Sequence, residues 1–238
     1  MAAEAGLFRW KGRLGPFDLR VSENTFSPST ISVLLAEAME IEPGDTVVDV
    51  GCGSGVLSII AAKLGAGHVF GIDAAPDVVE VATANAVEQG VGDKITFFHG
   101  DLFDPLPDGL TADVVIGDVS GIPDVIAAES GWFPSRRGGG PRGSELPIRM
   151  LEGVQGVLRK GGRFLLPTGT LQDEAAILEK ARTVFAKLTQ VKERAIPLPT
   201  SLSQSSEVLQ LMKDRVIDLT SRGSRMLWTA KVWEGSLT

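Results

Sequence analysis

Apolar and polar residues alternate in Gly6-Leu-Phe-Arg-Trp10 and again from Pro16 to Val21, with Lys11-Gly-Arg-Leu-Gly15 between them. That pattern predicts a short β-hairpin. Ser27-Pro-Ser-Thr30 then carries helix-start signals: serine can cap, and proline is tolerated in the first turn. Ile31, Leu34, Leu35 and Met39 complete one apolar stripe, and Gly44-Asp45 ends the segment. From there strands and helices alternate. Strands are expected at residues 46–50, 68–72, 94–98, 112–116 and 163–167, and helices at 56–64, 76–89, 145–160 and 173–187, with Gly161-Gly162 as a turn. Met226 to Trp233 alternates like a terminal strand that would pair antiparallel at the end of the sheet. Residues 197–222 carry the weakest signal: Pro197-Leu-Pro199, a serine cluster, then an amphipathic stretch from Glu207 to Leu219. The βαβα order implies an α/β fold with a doubly wound, mainly parallel sheet. A single domain is expected over 1–238, with the hairpin and first helix in 1–43, a core in 44–170 and C-terminal helices and strands in 171–238.

Composition narrows the class. The 238 residues are 43% hydrophobic and 22% charged, ordinary for a globular chain. No run approaches the ~18 apolar residues of a membrane span, and Met1 to Arg13 lacks a signal-peptide core. Cys52 is the sole cysteine, and His68 and His99 are the only histidines, so a metal-independent, cytoplasmic protein is expected. The net charge of −7 argues against tracking a long nucleic acid. Oligomeric state is not encoded in any pattern.

The sharpest motif is Asp49-Val-Gly-Cys-Gly-Ser-Gly55, between a strand and a helix. Ligands of open α/β sheets bind beyond the carboxyl ends of strands, and glycines let them approach the backbone. Asp73 ends the second core strand, Asp101 follows the third and Asp118 the fourth, so four carboxylates line up at one rim. An acid at the spacing of Asp73 can accept bonds from both ribose hydroxyls. Two ligands remain, a nicotinamide dinucleotide and S-adenosyl-L-methionine. Val56 stands where the dinucleotide fingerprint wants its third glycine, and Asp49 suits a cation rather than a pyrophosphate.

Val47-Val-Asp-Val-Gly-Cys-Gly-Ser-Gly-Val-Leu57 resembles the first motif of class I S-adenosylmethionine-dependent methyltransferases, and Gly71-Ile-Asp73 their second. The resemblance covers roughly residues 25–170 and implies their Rossmann-like fold. It implies further that Asp49, Gly51, Gly53 and Gly55 surround the methionine part of the cofactor. Asp73 with Ala74 would hold the ribose, and Asp101 with Leu102 the adenine.

The acceptor is expected at the carboxyl end of the fourth strand. There Asp118, Ile122-Pro123, the stretch Gly138 to Glu145 and Lys160-Gly-Gly-Arg-Phe are similar to the release-factor glutamine methyltransferases, as is Phe26-Ser-Pro-Ser-Thr30. That group carries Asn or Asp, two prolines and an aromatic, whereas here Val119-Ser120-Gly121 follows Asp118. The substitution predicts a kept cofactor site, open space beside Asp118 and a different acceptor. Asp118 is the candidate for binding or deprotonating it. Ser120, Trp132, Arg136, Arg137 and Arg142 are candidate substrate contacts in a glycine-flanked cover over residues 124–144. His99 reads as a packed strand residue. The preferred acceptor is a small molecule or a modified residue. The alternatives are a protein N-methyltransferase of the release-factor glutamine type, a cofactor-binding module without catalysis, and, least favoured, a nicotinamide oxidoreductase.

Overall fold

The computed structural model describes residues 6–132 and 138–238. The hairpin forms as β1 (Gly6–Trp10) and β2 (Phe17–Val21), antiparallel and separate from the main sheet. Helix α1 (Thr30–Ala38) begins one serine later than the sequence suggests. Ser29 is its cap, bonding the backbone of Ile31 at 3.1 Å, while Ser32 Oγ returns to the Ser29 N–H at 3.2 Å. Pro28, which lacks an N–H, therefore precedes the cap instead of opening the helix.

The core then alternates through β3 (Thr46–Val50), α2 (Val56–Leu64), β4 (His68–Asp73), α3 (Val78–Glu88), β5 (Ile95–His99) and β6 (Ala112–Gly117). After α4 (Asp124–Ser130) and α5 (Glu145–Gly153) come β7 (Leu158–Gly169), α6 (Glu174–Val184) and β8 (Lys187–Pro197). The chain finishes with α7 (Thr200–Ser203), α8 (Ser206–Lys213), β9 (Thr220–Arg222) and β10 (Arg225–Ser236). The sheet order is β5-β4-β3-β6-β7-β10-β8, with β9 paired to β10. Strands β3 to β7 are parallel, and β10 runs antiparallel to both β7 and β8. The expected α/β doubly wound sheet is thus present.

Three expectations are corrected. The helix placed over 145–160 stops at Gly153, because Leu158 already pairs with Ala112 in the sheet. Gly161-Gly162 is consequently an irregularity inside β7, where the partner of β6 jumps from Leu158 to Arg163. The terminal strand is not the edge. β8 lies outside it, and the charged run Lys187–Arg194 hid β8 because an edge strand's exposed residues need no apolar alternation. Trp228 and Trp233 sit five apart on β10, so they enter the cores on opposite faces of the sheet.

One core packs α1, α2, α3 and the hairpin against the sheet, and the other packs α5 and α6. Helices α4, α7 and α8 contact one another beside the first core. Trp10, 1% exposed, anchors the hairpin. Asn85 of α3 locks it further, accepting from the Arg20 N–H at 2.7 Å and donating to the carbonyls of Arg20 and Ser54 at 3.0 and 2.8 Å. One buried amide thereby ties hairpin, helix and glycine loop together. Among the described residues no helix is long and apolar enough to cross a membrane.

Candidate active site

After β5 the chain crosses β3 to enter β6, so strand order reverses between β3 and β6. Open α/β sheets bind ligands at such a switch point. The loop after β3 and Asp118 after β6 meet there: a Cβ on Gly51 would lie 2.4 Å from the Asp118 carbonyl oxygen. Gly51 also has φ +82°, a left-handed conformation that costs any other residue energy. Both facts forbid a side chain at this position. The N–H groups of Gly51 and Cys52 donate to the Ile72 carbonyl at 2.8 and 3.0 Å, stitching the loop to β4.

A cavity of about 1730 Å³ opens over this rim. Its floor includes Gly51, Cys52, Gly53, Ser54, Asp73, Ala74, Asp101, Leu102 and Asp118. The hairpin contributes Phe8 to Trp10, and the far wall carries Ser120, Trp132, Thr168, Gln172 and Trp228. The volume exceeds the ~300–1,000 Å³ of ordinary ligand pockets, so two reactants fit together.

Among the residues implied by the methyltransferase motifs, Gly51, Gly53, Asp73, Ala74, Asp101 and Leu102 line the cavity, whereas Asp49 and Gly55 lie beneath it. Gly55 caps α2 and packs on Phe97, 3.0 Å from where its Cβ would be. Asp73 accepts from Gly53 N at 2.9 Å and Ala75 N at 2.8 Å, one bond to each oxygen, leaving lone pairs for a ligand. Asp101 is exposed and ion-paired to Arg149, a cavity residue of α5 that no motif marks. His99 is exposed at the end of β5, with Nε2 3.2 Å from the Ala74 carbonyl, and is not packed as expected.

Two carboxylates carry the electrostatics. Asp49 is fully buried, accepts from Ser58 Oγ at 2.6 Å through one oxygen and has no partner for the other. Burial pushes it up to about 7, Ser58 opposes the rise, and the charge of Asp73 adds to it. Asp118 accepts from Ser32 Oγ at 3.2 Å, and burial followed by the charge of Asp49 raises it likewise to about 7. Burial, then the charges of Asp49 and Asp73, raise the thiol of Cys52, which stays neutral. A buried anion without counter-charge is costly, and a cationic ligand would relieve it.

The acceptor side departs from expectation in three places. The space predicted beside Val119-Ser120-Gly121 is partly filled, since a Cβ on Gly121 would stand 2.5 Å from Gln172 Oε1. Arg142 does not reach the cavity; its Nε donates to Asp173 at 2.8 Å, at the cap of α6. The glycines of 138–143 serve close backbone packing. Gly138 and Gly139 would place a Cβ 2.0 and 2.4 Å from the carbonyls of Ile122 and Ser120, and Gly139 N donates to the Ile122 carbonyl at 2.7 Å. Ser120 and Trp132 do line the cavity, while Arg136 and Arg137 lie outside the described residues.

Comparison with known proteins follows this geometry. Residues 41–216 match the family model described as "Methyltransferase domain". A ribosomal protein L11 methyltransferase of Photorhabdus laumondii is 31% identical over 176 residues, covering 74% of this chain and 50% of the relative. One from Aliivibrio fischeri is 40% identical over 101 residues, 42% of this chain and 33% of the relative. The chain therefore spans a third to a half of the length of these relatives. Among solved structures, a T. Thermophilus 16S rRNA methyltransferase in complex with AdoMet and guanosine aligns with TM-score 0.63 at 16% identity, over 99% of this chain and 50% of that one. At that identity the likeness concerns the fold.

Proposed function

The chain belongs to the methyltransferase-domain family, within the class I S-adenosylmethionine-dependent methyltransferases, and from that premise we propose that it methylates an acceptor held beside Asp118. The observation that supports this reading is the continuity of one cavity from Gly51 and Asp73 to Asp118, across the reversal of strand order. The residues present fit the cofactor. Gly53 leaves its backbone open to the cavity, with only the Phe26 carbonyl at 3.5 Å near its missing Cβ, Asp73 keeps free lone pairs for ribose hydroxyls, and the unpartnered oxygen of Asp49 with raised Asp118 favours a cation.

S-Adenosyl-L-methionine, when bound, supplies an electrophilic methyl group. This chain supplies orientation and exclusion of water: the hairpin and residues 120–122 wall the cavity. Asp118, raised to about 7, takes a proton from the acceptor at neutral pH, with Ser32 Oγ holding one carboxylate oxygen. The preferred acceptor is a small molecule or a modified residue that fits the cavity.

A protein acceptor is the second reading, favoured by the relatives named as ribosomal protein L11 methyltransferases. The release-factor glutamine type is one form of it. Incubation with methyl-labelled cofactor and separate pools of ribosomal proteins, release factors and small metabolites tests both. Label in a protein pool alone supports the second reading. Tight cofactor binding with no label anywhere favours a module without catalysis.

A further inference from the structure

The cavity extends well past the cofactor side, and its far part is walled by carbon. Phe8, Ile31, Val33, Ile122, Trp132 and Ile196 line it, and each is half-buried and packed against the same core. They come from β1, α1, the loops on either side of α4, and β8. Asp118 locates this wall. Ser32 Oγ donates to Asp118 at 3.2 Å, so Ile31 and Val33 flank the residue that holds the carboxylate. Ile122 follows Asp118 by four residues, and α1 packs against β8, the strand that carries Ile196.

Backbone groups along the wall are committed to the fold. Ile31 N donates to Ser29 Oγ at 3.1 Å, and Val33 N donates to the Ser29 carbonyl at 3.1 Å. The Ile122 carbonyl accepts from Gly139 N at 2.7 Å, and Ile196 pairs with Trp228 in the sheet. The charged residues of the same lining are engaged as well. Glu37 takes Arg194 at 3.1 Å, Arg9 pairs with Asp18 at 2.9 Å, Arg13 donates to the Ala36 carbonyl at 3.1 Å, and Glu145 accepts from Ser144 N at 3.1 Å. Lys11 is exposed in the turn between β1 and β2. Water leaves an apolar wall favourably when an apolar ligand covers it, whereas an amide or a charge placed there is stripped of water without a partner.

We propose that the methyl acceptor is a neutral small molecule with an apolar body, seated on this wall with its methyl-accepting group beside Asp118. The assignment rests on the methyl-transfer reading of the same cavity and names the class of its substrate. The acceptor's lone pair forms the new bond to the methyl carbon, the carbon–sulfur bond breaks with its electrons going to sulfur, and the acceptor's proton passes to Asp118. A polypeptide acceptor would bring backbone amides against carbon, which sets it below the apolar small molecule.

The test titrates 2-naphthol and 2-naphthoate into the full chain in a calorimeter at neutral pH, with and without saturating S-adenosylhomocysteine. 2-Naphthol should bind at one site, with affinities within about threefold in the two conditions, because a cavity of about 1730 Å³ takes both molecules. 2-Naphthoate, the same ring bearing a charge, should bind at least about tenfold more weakly. Ile122→Asp and Ile196→Asp should each weaken 2-naphthol about tenfold or more. Ile122→Ala, the milder change should the aspartates unfold the chain, should weaken it about three- to tenfold. Leu209→Asp, at a side chain 52% exposed on α8 and off the cavity, should leave binding unchanged. Absent 2-naphthol binding, 2-naphthoate binding as well as 2-naphthol, displacement by S-adenosylhomocysteine, undiminished binding in Ile122→Ala, or an equal loss in Leu209→Asp would overturn the proposal. The two readings fail separately. S-Adenosylhomocysteine bound without 2-naphthol removes the apolar acceptor alone, and 2-naphthol bound without S-adenosylhomocysteine removes methyl transfer and leaves an apolar ligand site.

Discussion

At the carboxyl ends of β3 and β4, backbone does the positioning. Gly51 and Cys52 bond the Ile72 carbonyl, Asp73 bonds Gly53 and Ala75, and the only side chains that matter are short acids. Across the switch point, the wall beyond Asp118 is assembled from side chains of distant segments: Ser32, Ser120, Trp132, Gln172 and Trp228. The first half presents backbone groups and can change little without losing its ligand. The second can exchange its specificity by exchanging side chains, because the scaffold behind it is already complete. The two halves touch where Gly51 meets the Asp118 carbonyl.

The sharpest break between them is steric. Gly51→Val places atoms within 2.4 Å of backbone at a φ of +82°, and cofactor affinity should fall about a hundredfold or more with lower stability. Gly53, at φ +49°, is also strained by alanine, but its Cβ would have only the Phe26 carbonyl at 3.5 Å nearby, so the loss should be smaller. Equal effects in calorimetry would show that cavity shape rather than backbone approach governs the loop. Asn85→Ala comes next. It removes three bonds joining hairpin, α3 and glycine loop and should cost about 2–4 kcal/mol in denaturant unfolding.

Charge separates the halves by pH. Asp118 ionises at about 7 in the folded chain and near 4 when unfolded, so between those values the folded state binds more protons. Its contribution to stability is therefore greatest at low pH and declines as pH rises through 7. Asp118→Asn should raise the melting temperature at pH 8, by roughly 1–3 kcal/mol of stability, and change little at pH 4. The opposite pH order would contradict burial as the cause. If the carboxylate takes the acceptor's proton, the same variant should lower kcat more than it raises KM. The smallest effect belongs to Arg142→Ala. Its exposed pair with Asp173 lies off the cavity, and cofactor affinity should stay within about twofold.

Legibility in the sequence divides along the same line. The glycine loop and Asp73 are readable because backbone approach demands glycines and acids at short, fixed spacings. The places of Gln172, Trp228, Arg149 and Asn85 depend on contacts between segments tens of residues apart, and none sits in a local motif. β8 was hidden by its exposure, and the end of α5 by a strand partner 46 residues away, Ala112 for Leu158. The glycines at 138–143 suggested a closing cover, whereas close packing on Ser120 and Ile122 is what requires them.

The central claim is that the switch-point rim binds S-adenosyl-L-methionine through Asp73. Titration calorimetry of that cofactor, and separately of NADH, into the wild-type chain and Asp73→Ala measures it directly. One site for S-adenosyl-L-methionine, weakened about tenfold or more in a folded Asp73→Ala, and no heat from NADH is the expected result. Failure of the wild-type chain to bind the sulfonium cofactor, or undiminished binding in the variant, would contradict it.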